Sequence, residues 1–306
     1  MTGASGFVGA HLVAHLESFG DEIFAPFIDV TDPAALGQAV ASQPGGPPDV
    51  AYHLAGQADV GRSWSDVSLT WSVNTMGTVN LLEALRAHAP NARTIVVSSA
   101  EVYGNVPVDE LPINESRPTI RSSPYGASKI AAECAALFAH EVFGQQVIIA
   151  RPFGHIGVGQ LAGFVLPAVA KQIAESERDK TDAIYLGNLD AERDMTSVGD
   201  VVRAYRLLAL SGVSGEIYNI CRGEAMVIRA LVDRMIGLST RPLRIELDLE
   251  RLRPSEIVKQ FGDATKLRSH TGWVPQEPLE QVLLDVLNEW RSRAAETSIA
   301  APVVSA

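Results

Sequence analysis

Thr2-Gly3-Ala4-Ser5-Gly6-Phe7-Val8-Gly9 is the stretch on which the fold turns. Glycines spaced three apart make a tight turn that opens a helix, the arrangement found between the first strand and first helix of a doubly wound sheet. Backbone N–H groups at such a helix start, helped by the helix dipole, can hold a pyrophosphate. From Phe7 to Phe19 the periodicity predicts that helix, with Val8, Leu12 and Leu16 on one face. Only Met1 and Thr2 precede Gly3 where a buried strand is ordinarily found. The first strand is therefore expected to be missing or truncated, which would expose a sheet edge.

Working outward, Glu22 to Ile28 reads as a strand, and Asp32-Pro33 as a helix start with an Asp cap and Pro in the first turn. The acidic residue that ends the second strand of many dinucleotide folds has no counterpart in Ala25-Pro26-Phe27, so the choice between NAD and NADP is not readable. Asp29 is a candidate for the adenine edge. Val50 to Gly56 is a short buried strand ending in small residues, with His53 mid-strand as a structural hydrogen-bonder. A helix is expected over Asn74 to Ala89. Thr94-Ile95-Val96-Val97 is a β-branched run typical of a parallel strand buried on both faces, delivering Ser98 and Ser99 at its carboxyl end. Gln146 to Ala150 is a further strand.

This alternation predicts an α/β fold with a doubly wound, Rossmann-type parallel sheet. Beyond Arg151 it weakens, and helices over Glu224 to Gly237 and Pro278 to Arg291 suit a smaller mixed α/β lid. The expected division is a nucleotide-binding domain over 1–150 with a returning segment near 195–222, a substrate domain over 151–194 and 223–293, and a disordered tail over 294–306.

With 306 residues, 46% hydrophobic and 20% charged, the chain is an ordinary globular protein large enough for a sizeable core. A net charge of -11 argues against a broad nucleic-acid footprint. Cys134 and Cys221 show no metal-ligand spacing and are expected to be reduced core thiols, so no metal is expected. No apolar run reaches the length of a membrane span, and a cytoplasmic protein is expected.

Tyr125-Gly126-Ala127-Ser128-Lys129 carries the chemistry. On a helix, residues four apart share a face, so the ammonium would lie one turn from the phenol. A fixed cation favours the phenolate, and the expectation is a phenol brought toward neutral pH as a proton relay. Alone, such a pair is also a common surface contact.

TGASGFVG, HLAGQ, NTMGTVNLLEA, SSAEVYG, YGASK, RPFGHIGVGQ, ERDMTSVGDVVRAY, EIYNIC and RPSE followed by GDATKLRSHTGW together resemble the extended short-chain dehydrogenase/reductases that act on nucleotide sugars. The likeness runs from Thr2 to about Trp290. Within that family it is similar to the GDP-4-keto-6-deoxy-D-mannose reductases, which make GDP-D-rhamnose, with the GDP-mannose 4,6-dehydratases as near neighbours.

The resemblance implies that Ser99, Tyr125 and Lys129 are catalytic, Tyr125 giving the proton, Ser99 holding the sugar oxygen and Lys129 the nicotinamide ribose. It implies NADP or NAD as cofactor, NADPH being favoured, held by Gly3, Ser5, Gly6, Phe7, Val8, Gly9, Asp29, Val30, Leu54, Ala55, Gly56 and Asn74. Arg193, Arg253 and Glu256 would grip a GDP-linked or other nucleotide sugar. Glu101 stands where a dehydratase places its base, and in a reductase would be a polar sugar contact. Gly154 and Val158 stand where these families have Asn and Pro. Three readings stay open: a reductase, a dehydratase or epimerase with Glu101 as base, and a non-catalytic NAD(P)-binding module. Relatives dimerise through helices like those after Asn74 and around Tyr125, and Ala131, Ala135 and Leu137 suit a homodimer face.

Overall fold

The computed structural model describes residues 1–248 and 257–299. Four strands form its central sheet: β1 (Val50–His53), β2 (Arg93–Val97), β3 (Gln146–Pro152) and β4 (Ile217–Ile220), side by side in that order. All pairs are parallel. Parallel strands need helical crossovers that cover both faces, and Ile95, Val96, Ile148, Ile149 and Ala150 are accordingly buried. The covering helices used below are α1 (Phe7–Ser18), α2 (Pro33–Ala41), α3 (Gly77–His88), α4 (Pro124–Phe143) and α5 (Val198–Ser211).

One core packs Leu12 and Leu16 of α1 and Val201, Tyr205 and Leu208 of α5 against the sheet, and reaches Trp273. Helices α2 and α3 bury a smaller one around Leu36, Leu81 and Leu85. A separate core gathers Leu166, Val169 and Ile173 of the helix Val165–Asp179, Leu231 and Met235 of Ile228–Gly237, and Leu283 and Val286 of Leu279–Ile299. Truncating a fully buried leucine such as Leu12 to Ala costs about 2–5 kcal/mol at sites of this kind.

The amino-terminal margin departs from expectation. Thr2 makes a single parallel bridge to His53, its amide donating to the Tyr52 carbonyl at 3.0 Å. Glu22 to Ile28 is not a strand. A strand exists by its ladder, and on this side the ladder consists of Thr2 and the Met1 ammonium, which donates to the Phe24 carbonyl at 2.7 Å. A cleft of about 440 Å³ lies there, lined by Leu16, Ile23, Phe24, Val50, Tyr52 and Ala209 among others.

Other expectations also need correction. Cys134 is exposed on α4, and only Cys221 is a core thiol. The last helix does not end at Arg291 but runs to Ile299, into the expected tail, its later turns tied by an ion pair between Arg293 and Glu289 and by burial of Ala294. Helix Ile228–Gly237 begins four residues later than Glu224, after a two-residue strand, Met226–Val227. The Asp32 cap is as expected, its carboxylate accepting from the amides of Ala34 and Ala35 at 3.0 Å with Pro33 in the first turn.

Candidate active site

The glycine turn lies against the carboxyl end of β1. Gly3 has φ +73°, and a Cβ there would meet the Ala55 nitrogen at 2.5 Å; a Cβ on Gly9 would meet the Gly3 carbonyl oxygen at 2.0 Å. Only glycine satisfies both positions. The turn closes with the Gly6 amide donating to the Gly3 carbonyl at 3.1 Å, and Gly6 caps α1 without a side-chain acceptor. The first amides of α1, including those of Phe7 and Val8, therefore have no side-chain cap to satisfy them, while Ser5 and Gly6 are exposed beside them. These backbone donors are the ones for which the sequence raises the expectation of a bound pyrophosphate.

A relay of hydrogen bonds fixes the floor. The Ala55 amide donates to the Thr2 hydroxyl, which bonds His53 Nδ1 at 2.8 Å, and His53 Nε2 bonds the Thr78 hydroxyl at 3.0 Å. Thr78 in turn donates to the Asn74 carbonyl at 2.7 Å, so its oxygen must accept from the ring, which assigns the proton to Nε2. Burial and the Lys129 charge hold the His53 pKa down at about 3, keeping the ring neutral. His53 is the structural hydrogen-bonder expected, and His53 and Thr78 are both buried.

Asn74 lies in a π-helical turn, Ser72–Met76, that precedes α3. Sequence periodicity predicted one continuous helix there. The wider turn carries the Asn74 amide across to the Gln57 backbone, accepting from its N–H at 2.8 Å, and to the Ser128 hydroxyl at 3.0 Å. Wide turns of this type recur at functional sites. Gly56 sits in the same corner, where a Cβ would lie 3.0 Å from Asn74 Oδ1 and 3.3 Å from Lys129 Nζ.

Ser123 caps α4, accepting from the Gly126 amide at 3.0 Å, with Pro124 in the first turn. That start sets the phase of the helix so that Tyr125 and Lys129 both turn inward and are buried. Ser99, at the end of β2, hydrogen-bonds the Tyr125 phenol. Lys129 Nζ donates to the Val97 carbonyl at 2.9 Å.

The electrostatics reverse one expectation. Burial dominates and pushes the Tyr125 phenol up to about 12; the Ser99 hydrogen bond works against this, and the Glu101 charge adds to it. Lys129 is not what governs this phenol, because its ammonium engages the Val97 carbonyl. Burial lowers the Lys129 pKa to about 8, partly offset by Glu133. Tyr125 is thus protonated at neutral pH.

Glu101 stands on the 3₁₀ turn Ala100–Tyr103, its amide donating to the Ser99 hydroxyl at 3.2 Å. The Asp29 carboxylate is exposed and accepts from the Thr31 amide and hydroxyl, bonds that lower its pKa and keep it anionic. Val30 is buried in the core of α2 and α3, and its carbonyl accepts from the Asn80 amide at 3.0 Å. Leu54 and Ala55 follow β1 directly, half-buried at the glycine turn. Arg193 lies on the short strand Glu192–Arg193, paired with Lys259–Gln260, whose Gln260 amide reaches the Ala100 carbonyl. That strand pair thereby abuts the turn Ala100–Tyr103. Arg253 and Glu256 lie outside the described residues. At Gly154 a Cβ would meet the Asp194 carbonyl oxygen and Met195 Sδ at 2.7 Å, so the backbone is packed too closely there for the Asn that the resemblance leads one to expect. Among the described residues no cluster of side chains could hold a metal ion.

The family model described as GDP-mannose 4,6 dehydratase matches residues 21–286. A GDP-6-deoxy-D-mannose reductase from Pseudomonas aeruginosa is 35% identical, with 97% of this chain and 98% of that protein covered. The human GDP-mannose 4,6 dehydratase is 26% identical over 79% of this chain and 70% of its own length. Among solved structures, RMD from Pseudomonas aeruginosa complexed with NADPH superposes with a TM-score of 0.88 at 35% identity, covering 95% of this chain and 96% of that one. The Thermus thermophilus UDP-glucose 4-epimerase complexed with NAD gives 0.81 at 26% identity, covering 95% and 97%.

Proposed function

The chain belongs to the GDP-mannose 4,6-dehydratase family, and on that premise we propose that it is an NAD(P)-dependent nucleotide-sugar reductase that converts GDP-4-keto-6-deoxy-D-mannose to GDP-D-rhamnose. The carrying observation is the Tyr125 phenol: buried, bonded to Ser99 and held protonated to about pH 12. Reduction of a ketone needs a proton given to the oxygen as the carbon is reduced, and a protonated phenol suits that task. Similarity to the Pseudomonas reductase over 97% of the chain supports the same reading.

The residues present fit NADPH, the cofactor of the structural relative. The backbone cradle of Gly3, Gly6 and Gly9 and the start of α1 suit its pyrophosphate, Asp29 its adenine edge, and Lys129 beside Gly56 its nicotinamide ribose. When bound, it supplies the hydride. Ser99 orients the C4 oxygen and Tyr125 donates to that oxygen, while the Lys129 ammonium serves the ribose. Arg193, with Arg253 and Glu256, would hold the nucleotide diphosphate and ribose, guanidinium forks being suited to phosphate.

Glu101 keeps a second reading in view, a 4,6-dehydratase in which its carboxylate removes the C5 proton. The position of Glu101 two residues after Ser99 favours that reading; the 35% identity to the Pseudomonas reductase across 97% of this chain, against 26% over 79% for the human dehydratase, favours the reductase. The two separate cores support two units, with Phe153 and, from the segment 223–293, Ala264, Leu267 and Trp273 packing into the core of the nucleotide-binding unit. We also place the protein in the cytoplasm as a homodimer. No helix among the described residues is long and apolar enough to cross a membrane, and Phe138, Val142 and Phe143 are exposed on α4.

Tyr125→Phe tests the assignment. Turnover of the keto sugar should fall by about 10²–10⁴-fold while NADPH still binds. Unchanged turnover would remove Tyr125 as the donor.

A further inference from the structure

Three consecutive residues at the end of β2 are gripped by three residues of α4 spaced four apart. Ser99 hydrogen-bonds Tyr125, the Val97 carbonyl accepts from Lys129, and the Ser98 hydroxyl donates to Glu133 Oε1 at 2.5 Å. The first two contacts belong to the proposed chemistry, whereas Glu133 lies beyond it, buried and without access to a substrate. Its carboxylate is held at both oxygens by the Arg151 fork, Nε to Oε1 at 2.8 Å and a terminal nitrogen to Oε2 at 2.5 Å. Such a planar two-bond pair fixes orientation as well as charge.

The network continues. The other Arg151 terminal nitrogen donates to the Tyr103 hydroxyl at 2.9 Å, and the guanidinium lies 4.8 Å over the Tyr103 ring. Tyr103 donates to Asn219 Oδ1 at 2.7 Å; the Asn219 amide group donates to the Ile113 carbonyl at 2.9 Å, and its backbone N–H to Glu115 at 2.8 Å. Ile113 bridges to Gly262, beside the Lys259–Gln260 strand that pairs with Arg193. One continuous chain of buried polar groups therefore runs from the catalytic helix, through β3 and β4, to the segment bordering the substrate-binding strands.

We propose that Glu133 and Arg151 are positioning residues for catalysis, locking the register of α4 on the end of β2 and tying that register, through Tyr103 and Asn219, to the substrate side. The proposal rests on the reductase reading for its rate effect. A buried ion pair is weak evidence for stability by itself, since apolar residues of similar volume often serve as well; what this pair adds is one fixed geometry for α4 against β2. Glu133 has a second consequence. The titratable groups around Lys129 are Glu133 one turn on, Tyr125 one turn back and His53 from β1, and of these Glu133 is the one that raises the Lys129 pKa.

Glu133→Gln, which preserves shape and one acceptor, is the direct test. In the folded variant kcat should fall on the order of tenfold to a hundredfold, the loss expected when reacting groups are displaced by a fraction of an ångström to an ångström, with KM little changed. The alkaline limb of kcat should also move to lower pH. Ser98→Ala, which leaves the ion pair whole, should lower kcat in the same direction by less. Glu133→Gln/Arg151→Met removes both charges and guards against failure to fold, because it leaves no unpaired guanidinium. Titration of Lys129 by ¹³C NMR, assigned with Lys129→Arg, reads the effect without any substrate: its midpoint should be lower in either Glu133 variant. A wild-type protein inert toward the keto sugar would count against the functional reading, and the NMR midpoint would still decide this one. A lowered Tm with kcat and the Lys129 midpoint unchanged would make the pair merely structural and overturn the proposal.

Discussion

The end of β2 and the amino-terminal margin are two places where the same parallel sheet meets its neighbours, and they are held in different ways. At β2 the strand has ladders on both sides, to β1 and β3, and side chains of α4 grip its last residues. At the margin the sheet is represented by Thr2 alone, and Glu22 to Ile28, though rich in strand-forming residues, is not a strand. Propensity is a statement about fit to a half-buried pleated surface. Where the neighbouring strand is reduced to one bridge, the same kind of residues leaves Phe27 exposed. Yet the margin still carries the glycine turn, because Thr2 is bonded on both its backbone and its hydroxyl.

The largest effect that sharpens this contrast is expected at Gly9, where any Cβ would collide with the Gly3 carbonyl. Gly9→Val should abolish NADPH binding measured by fluorescence while the helical circular dichroism is largely kept. Retained binding would mean the cradle is not where the cofactor sits.

Next is the pH dependence of turnover, which reports on the β2 side. The Lys129 pKa is lowered to about 8 and that of Tyr125 raised to about 12. The ammonium is thus present below about pH 8 and lost above it, while the phenol remains protonated throughout. Activity should fall as pH rises through about 8, and a profile flat to pH 10 would contradict the assigned role of Lys129. For stability the sign is opposite. A lysine whose folded pKa is depressed disfavours folding at low pH, so this group's penalty shrinks as pH rises from about 8 toward its ordinary value.

The smallest effect belongs to the margin. Thr2→Val deprives the Ala55 amide and His53 of a partner and should cost about 1–3 kcal/mol in urea denaturation. A neutral substitution would show that the bridge at Thr2 is incidental.

Much of this was legible in the sequence. The glycine turn, the buried strand Thr94–Val97, the Asp32 cap and the Tyr125–Lys129 spacing each follow from local chemistry. Other features depend on long-range pairing that no window reveals. Whether Glu22 to Ile28 is a strand depends on its neighbour, and the π-helical turn at Asn74 reflects bonds to Gln57 and Ser128, 17 and 54 residues away. The phenol's pKa could not be read from a nearby cation, because burial outweighs it and Lys129 points at a carbonyl. The Glu133–Arg151 pair was signalled by an acid one turn beyond Lys129, but only the fold shows its partner.

The most direct test of the reductase assignment is product analysis, by chromatography and mass, after separate incubations with GDP-mannose and with GDP-4-keto-6-deoxy-mannose plus NADPH or NADH. Consumption of the keto sugar with matching loss of the reduced cofactor, and inertness toward GDP-mannose, is the result predicted. Dehydration of GDP-mannose without net cofactor use would contradict it and make Glu101 the catalytic base.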